Sequence, residues 1–299
     1  MIDKRPNLFI VGAPKCGTSF LYEYLSRHPQ IFMCPVKEPN YFDKDLHYTS
    51  ARLSHEEYLK LFKNAGAKKV IGEASIFYLY SSMACREIYK FNPEARIIIM
   101  LRNPVEMMYS LHGEHLFQGN EIEENFEKAI ALEEERKKGR FVYEHTNPRE
   151  GVYYKDIGSY TEQIKRYYDL FGKEKVMVVL LDDFKWDSDK SFKSILKFLQ
   201  VDAGFNINLK VINPRKKVKS KSIRELVKRP PNFLRNLVKV LLPSHRLRIF
   251  VQKKISLLNS GEIQKERIDP KLEIRLKKAM ASEVEALSAL LERDLSQWK

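Results

Sequence analysis

Cysteine is scarce in this chain. Three thiols, Cys16, Cys34 and Cys85, are spread over 299 residues. Their number is odd and none of their spacings is that of a metal site. This excludes a disulfide-framed secreted domain and a zinc module, and it suits reduced thiols in a cytosol. Long apolar runs are missing as well. None approaches the ~18–20 residues of a membrane-spanning helix, and the opening Met1-Ile-Asp-Lys-Arg-Pro6 lacks a signal-peptide core. Together these absences predict a cytoplasmic protein. There is no internal repeat and no low-complexity tract. No helix-turn-helix, zinc-finger or RNA-binding aromatic signature is present, which argues against a nucleic-acid partner.

What is present describes a folded α/β protein. Hydrophobic residues make up 43% of the chain and charged residues 31%, and the length suffices for a substantial core. Leu8–Val11, Lys69–Ile71, Arg96–Leu101 and Lys175–Leu181 are short apolar runs without strict alternation, as in strands covered on both faces. Helical patterns lie between them, over 104–116, 121–138, 159–171 and 188–199. The alternation predicts right-handed βαβ units, and so a parallel sheet flanked by helices on both faces. From Pro270 to about residue 296, Leu272, Leu276, Met280, Val284, Leu287 and Leu291 recur at three- and four-residue spacing, predicting one long C-terminal helix.

The net charge is +14, and the excess is concentrated over residues 210–254, including Arg215-Lys-Lys-Val-Lys-Ser-Lys221. Such a segment is either a solvated loop or a contact for anions. The candidate partners are a nucleotide with several phosphates, an acidic acceptor, or the inner surface of a membrane touched peripherally, for which Phe233–Leu242 alternates apolar and basic residues.

The most informative stretch is Leu8–Leu25. The apolar run is broken by Gly12 and Pro14, and Phe20, Leu21, Tyr24 and Leu25 then follow at helical spacing. A strand–turn–helix of this kind offers backbone N–H groups and the positive end of a helix dipole to a phosphate. Gly12 and Gly17 have Walker A spacing, but Thr18 stands where that loop needs its lysine, and the lysine lies inside the loop at Lys15. An ATP-using kinase or NTPase is therefore disfavoured, although it stays open as a rival. A non-catalytic binder of anionic polymer or membrane is the other.

Pro14-Lys-Cys-Gly-Thr-Ser19 resembles the 5′-phosphosulfate loop of the sulfotransferases that use 3′-phosphoadenosine 5′-phosphosulfate (PAPS). Three later segments are similar to parts of the same family, in the same order. These are Arg96 through Ser110, Val36-Lys-Glu-Pro-Asn-Tyr-Phe-Asp43, and Gly151 through Tyr160 with the helix and strand that follow. The resemblance is to the bacterial and carbohydrate-type branch. It implies a P-loop-like three-layer fold in a single domain over 1–299, with a basic loop-rich subregion at about 206–262. It also implies transfer of a sulfuryl group to a hydroxyl- or amine-bearing carbohydrate or glycolipid, with PAP as the spent donor and no metal. Residue by residue, Lys15, Cys16, Gly17, Thr18 and Ser19 would hold the 5′ side of the donor, and Arg102 and Ser110 its 3′-phosphate. Arg215 and Lys216, in the place of the family's lid over the nucleotide, would also contact the 3′-phosphate. Lys15 would be catalytic, and Glu38 would be the base. Lys37, Glu73 and His112 would lie at the acceptor, with Glu73 and His112 as reserve bases. Ala74-Ser75-Ile76 departs from the family's pattern after Glu73.

Overall fold

The computed structural model describes residues 5–205 and 268–299, and the backbone alone of 216–218 and 260–262. Five parallel strands form the central sheet: β1 (Leu8–Gly12), β2 (Ile31–Met33), β3 (Val70–Ala74), β4 (Arg96–Leu101) and β5 (Val176–Leu180). Their order is β2-β3-β1-β4-β5. Every residue of β1 and β3 is buried, and all of β4 except Arg96. This is the burial expected of near-continuous apolar runs covered on both faces. Phe9 of β1 stands opposite Glu73 of β3 and Ile97 of β4, which fixes the register at the middle of the sheet.

The helices are α1 (Thr18–Leu25), α2 (His55–Lys60), α3 (Ala84–Phe91), α4 (Pro104–Gln118), α5 (Phe126–Ala131), α6 (Glu133–Lys137), α7 (Tyr154–Gly158), α8 (Tyr160–Phe171), α9 (Leu181–Trp186), α10 (Ser188–Phe198), α11 (Pro270–Ala279) and α12 (Ala281–Leu291). The connection from β1 runs towards β2 on one side of the sheet. Those from β3 to β4 and from β4 to β5 run the other way. Right-handed crossovers therefore place α1 on one face and α3 and α8 on the other. The packing agrees. Phe20 and Tyr24 of α1 meet Phe184 of α9 and Phe192 of α10, and Tyr89 of α3 meets Phe171 of α8.

Two expectations need correction. The stretch from Pro270 is two helices, with Met280 as the junction and Glu292 closing the second at φ 53°. Three-and-four spacing reports a shared buried face, and Leu272, Met280, Val284 and Leu287 do share one, but it does not report continuity. The 121–138 stretch likewise yields only α5 and α6. Ahead of them Glu121 accepts from the amides of Ile122 and Glu123, each at 2.9 Å, in a capping loop.

The C-terminal piece is tied to the carboxyl end of the sheet. Asn103 caps α4, accepting from the amides of Val105 at 3.0 Å and Glu106 at 3.3 Å. Its amide nitrogen donates to the Trp298 carbonyl at 2.9 Å, and the Trp298 indole donates to Asp182 at 3.1 Å. Of the basic subregion, only a short antiparallel pair is described, β6 (Lys216–Val218) with β7 (Ser260–Glu262). Phe233–Leu242 lies outside the described residues.

Candidate functional site

All five strands point the same way, so the loops leaving β1, β2, β3 and β4 open at one edge. The direction of travel reverses at β1, and open α/β sheets bind ligands at such a switch point, beyond the strands' carboxyl ends. The loop after β1 is drawn tight against its neighbours: the Ala13 amide donates to the Met100 carbonyl at 2.7 Å, and the Leu79 amide to the Val11 carbonyl at 2.7 Å. Gly12 sits at φ 147°, and a Cβ there would fall 2.6 Å from the Ile76 carbonyl oxygen. Gly17, at φ 90°, begins α1 without any side-chain cap. The first turn thus presents backbone N–H groups flanked by buried Thr18 and half-buried Ser19, the arrangement that receives an anion.

Lys15 lies in this loop at φ 58°, and Glu38 and Asn40 in the loop after β2 have φ of 61° and 49°. Non-glycine residues rarely occupy the left-handed region, and where they do they gather at functional sites. The Glu38 amide donates to the Ala74 carbonyl at 2.9 Å, which pins this residue to the carboxyl end of β3. Lys37 donates to the Glu38 carboxylate at 2.5 Å. Further along the same loop, Arg52 donates to the carbonyls of Asn40 at 2.8 Å, Asp43 at 2.6 Å and Leu46 at 2.6 Å. The Glu38 loop is therefore rigidly mounted.

Glu73, at the end of β3, is fully buried. Tyr58 donates to its Oε1 at 3.0 Å, while Oε2 has no hydrogen-bond partner. Burial pushes this carboxyl up to about 8, against the lowering effect of the Tyr58 and Tyr78 hydroxyls. Arg102 follows β4 and donates through Nε to Glu106 at 2.8 Å. It lies close enough to Cys16 to pull that thiol downwards, but burial dominates and holds Cys16 at about 12, an inert thiol. Ser110 is buried two turns into α4.

The structure therefore brings Lys15, Cys16, Gly17, Thr18, Ser19, Lys37, Glu38, Glu73, Arg102 and Ser110 to one edge of the sheet. His112 is placed differently. It is buried against Phe126 and Tyr154, its Nε2 lies 2.8 Å from the Glu123 carbonyl, and burial lowers its pKa. It fastens the loop ahead of α5. Tyr153 and Tyr154 are core residues, bonded to the Arg136 carbonyl and to Glu121. Arg215 lies outside the described residues, and Lys216 opens β6. Two site residues were not foreseen: Glu106 and Glu114, which hold Arg102 and Lys15. Their four-residue steps to either side of Ser110 were the available signal.

The family model for the sulfotransferase domain matches residues 5–229. The chain belongs to that family. A crystal structure of a sulfotransferase from Alicyclobacillus acidocaldarius superposes with a TM-score of 0.73 at 29% identity, covering 98% of each chain. Carbohydrate sulfotransferase 15 of Mus musculus is 25% identical over 249 residues, 66% of this chain and 44% of that protein. Heparan sulfate glucosamine 3-O-sulfotransferase 6 of Homo sapiens is 27% identical over 115 residues, 37% of this chain and 31% of that protein. The Membrane-associated sulfotransferase kil1 of Dictyostelium discoideum is 32% identical over 105 residues, 35% of this chain and 22% of that protein. The chain thus spans less than half the length of these curated relatives. No helix among the described residues is long and apolar enough to cross a membrane.

Proposed function

We propose that this chain, acting as one domain, transfers a sulfuryl group from PAPS to a hydroxyl or amine of a carbohydrate or glycolipid. The observation that carries the reading is the meeting, at one sheet edge, of an uncapped helix start bounded by Gly12 and Gly17 with Lys15 and Arg102. The residues fit such a donor. The amides of residues 15–19 and the hydroxyls of Thr18 and Ser19 take the 5′-phosphate. Arg102 offers a planar fork to the 3′-phosphate, and Ser110 adds a hydroxyl. When bound, the donor supplies an electrophilic sulfur and a phosphate leaving group. Lys15 then neutralises charge growing on the leaving oxygen.

Glu38 takes the acceptor's proton in this scheme. It is half-buried on a rigid loop with Lys37 beside it, whereas Glu73 already carries its proton at neutral pH. Glu73 and Lys37 serve to shape the acceptor side. The names of the relatives support a sugar acceptor, and the basic surplus suits one that already bears negative charge. Arg215 and Lys216 add contacts to the 3′-phosphate in the same proposal. A cytoplasmic location, with any membrane contact peripheral, is supported by three cysteines that are all free and buried.

A thermal-shift titration with adenosine 3′,5′-bisphosphate tests this, with Mg-ATP and ADP as controls. At ~100 times its Kd the ligand adds about 2.7 kcal/mol. Metal-independent stabilisation by the bisphosphate that disappears in Arg102→Ala is the expected result. A preference for Mg-ATP, or no response to any nucleotide, would refute the donor assignment.

A further inference from the structure

Lys15 is already engaged. Its ammonium donates to Glu114 Oε2 at 2.7 Å, between residues 99 positions apart, and the Gln118 side chain donates to the other carboxylate oxygen at 2.7 Å. Arg102 is held in the same manner by Glu106. Glu106, Ser110, Glu114 and Gln118 stand four residues apart on α4, so they form one slowly turning stripe along the helix. Two carboxylates thus flank a buried hydroxyl, and each occupies a cation of the cradle. Burial works to raise the Glu114 carboxyl, but the Lys15 ammonium and the bonds from Lys15 and Gln118 bring it below the usual range, so it is charged at neutral pH.

A staple between the β1 loop and α4 would be the simplest role for this pair, but it is poorly suited to one. Side-chain exposure is 28% for Lys15 and 33% for Glu114, so the pair is only partly shielded from water and contributes modestly to stability. It also hangs from a lysine in the left-handed region, a conformation unfavourable in itself. An anion approaching Lys15 has two options. It shares the ammonium with Glu114 and meets like-charge repulsion at close range, or it displaces Glu114 and returns a carboxylate to solvent. Both subtract from the affinity of the cradle.

We infer that Glu114 is a positioning residue that acts through Lys15, its carboxylate competing with the donor and with the spent nucleotide for the same ammonium. It keeps the cradle from holding a multiply charged nucleotide too tightly and hastens release of the product. The inference rests on the donor-site reading above.

Calorimetric titration of the full chain with adenosine 3′,5′-bisphosphate tests it, comparing wild type with Glu114→Gln and Glu114→Ala. Melting temperatures report whether each variant is folded, and stopped-flow displacement gives the dissociation rate. Both variants are expected to bind about tenfold more tightly, the scale of a charge-assisted hydrogen bond that the anion no longer has to displace. Most of the change should be slower dissociation. A purely structural role would lower the melting temperature without tightening binding. Equal or weaker binding by folded variants, alongside normal binding by wild type, would overturn this inference alone. Failure of both variants to fold would make the pair a staple and overturn it too. Absence of binding by wild type would instead remove the donor-site reading.

Discussion

Replacing Glu73 by glutamine should change how stability depends on pH, and the structure sets the scale. The carboxyl is fully buried on β3, Tyr58 is the donor to Oε1, and Oε2 has no partner. Burial moves its pKa from the ordinary 4.5 to about 8. Between those two values the folded chain holds a proton that the unfolded chain has released. The group's favourable contribution is therefore complete below about pH 4.5 and shrinks as pH rises, with the loss complete above about pH 8. At ~1.4 kcal/mol for each pH unit the whole loss is about 5 kcal/mol. Glutamine keeps the shape and still accepts from Tyr58, but it does not titrate. Urea unfolding of wild type and Glu73→Gln between about pH 5 and pH 8 should show the variant gaining roughly 3–4 kcal/mol relative to wild type. Parallel profiles would refute the reasoning, because they would mean that Glu73 ionises in the fold as readily as in the unfolded chain.

Three other outcomes follow from the site. If Lys15 neutralises the leaving oxygen as proposed, Lys15→Ala should lower kcat by about 10²–10³ while leaving acceptor KM nearly unchanged; steady-state kinetics with a sulfated-sugar panel would check this, and near-normal turnover would remove Lys15 from catalysis. Glu38→Gln should cost about 10²–10⁴ in kcat with bisphosphate affinity preserved, and a retained kcat would transfer the base role elsewhere. Gly12→Ala should destabilise by at least ~2 kcal/mol, because it adds a Cβ 2.6 Å from the Ile76 carbonyl oxygen at a φ of 147°; an unchanged denaturation midpoint would contradict it.

The legible parts of this protein are those written in local pattern. β1, β4 and β5 announce themselves as apolar runs, β3 only through Val70 and Ile71, and Asn103-Pro104 announces the start of α4. β2 does not, because three residues, Ile31–Met33, are too short to show a period. The turn after β1 is legible because glycine spacing and a displaced lysine are local facts. The partners of its cations are not, since Lys15 and Glu114 meet only when the β1 loop packs on α4. The burial of Glu73 is equally a tertiary fact, and the Tyr58 hydroxyl that donates to it comes from another element. His112 illustrates the converse. Beside Ser110 in sequence, it belongs to a different packing layer in space.

The bond from Asn103 to the Trp298 carbonyl has a consequence in time. The two residues are 195 positions apart, and the cap that orients the first turn of α4, next to Arg102, is shared between them. A ribosome adding ~5–20 residues per second needs about 10–40 s to travel that distance. In the later part of that interval, once β5 (Val176–Leu180) has been made and has emerged, the sheet can be in place while the entry to α4 still lacks one of its anchors. The nascent chain should therefore acquire its sheet well before it acquires full affinity for a nucleotide.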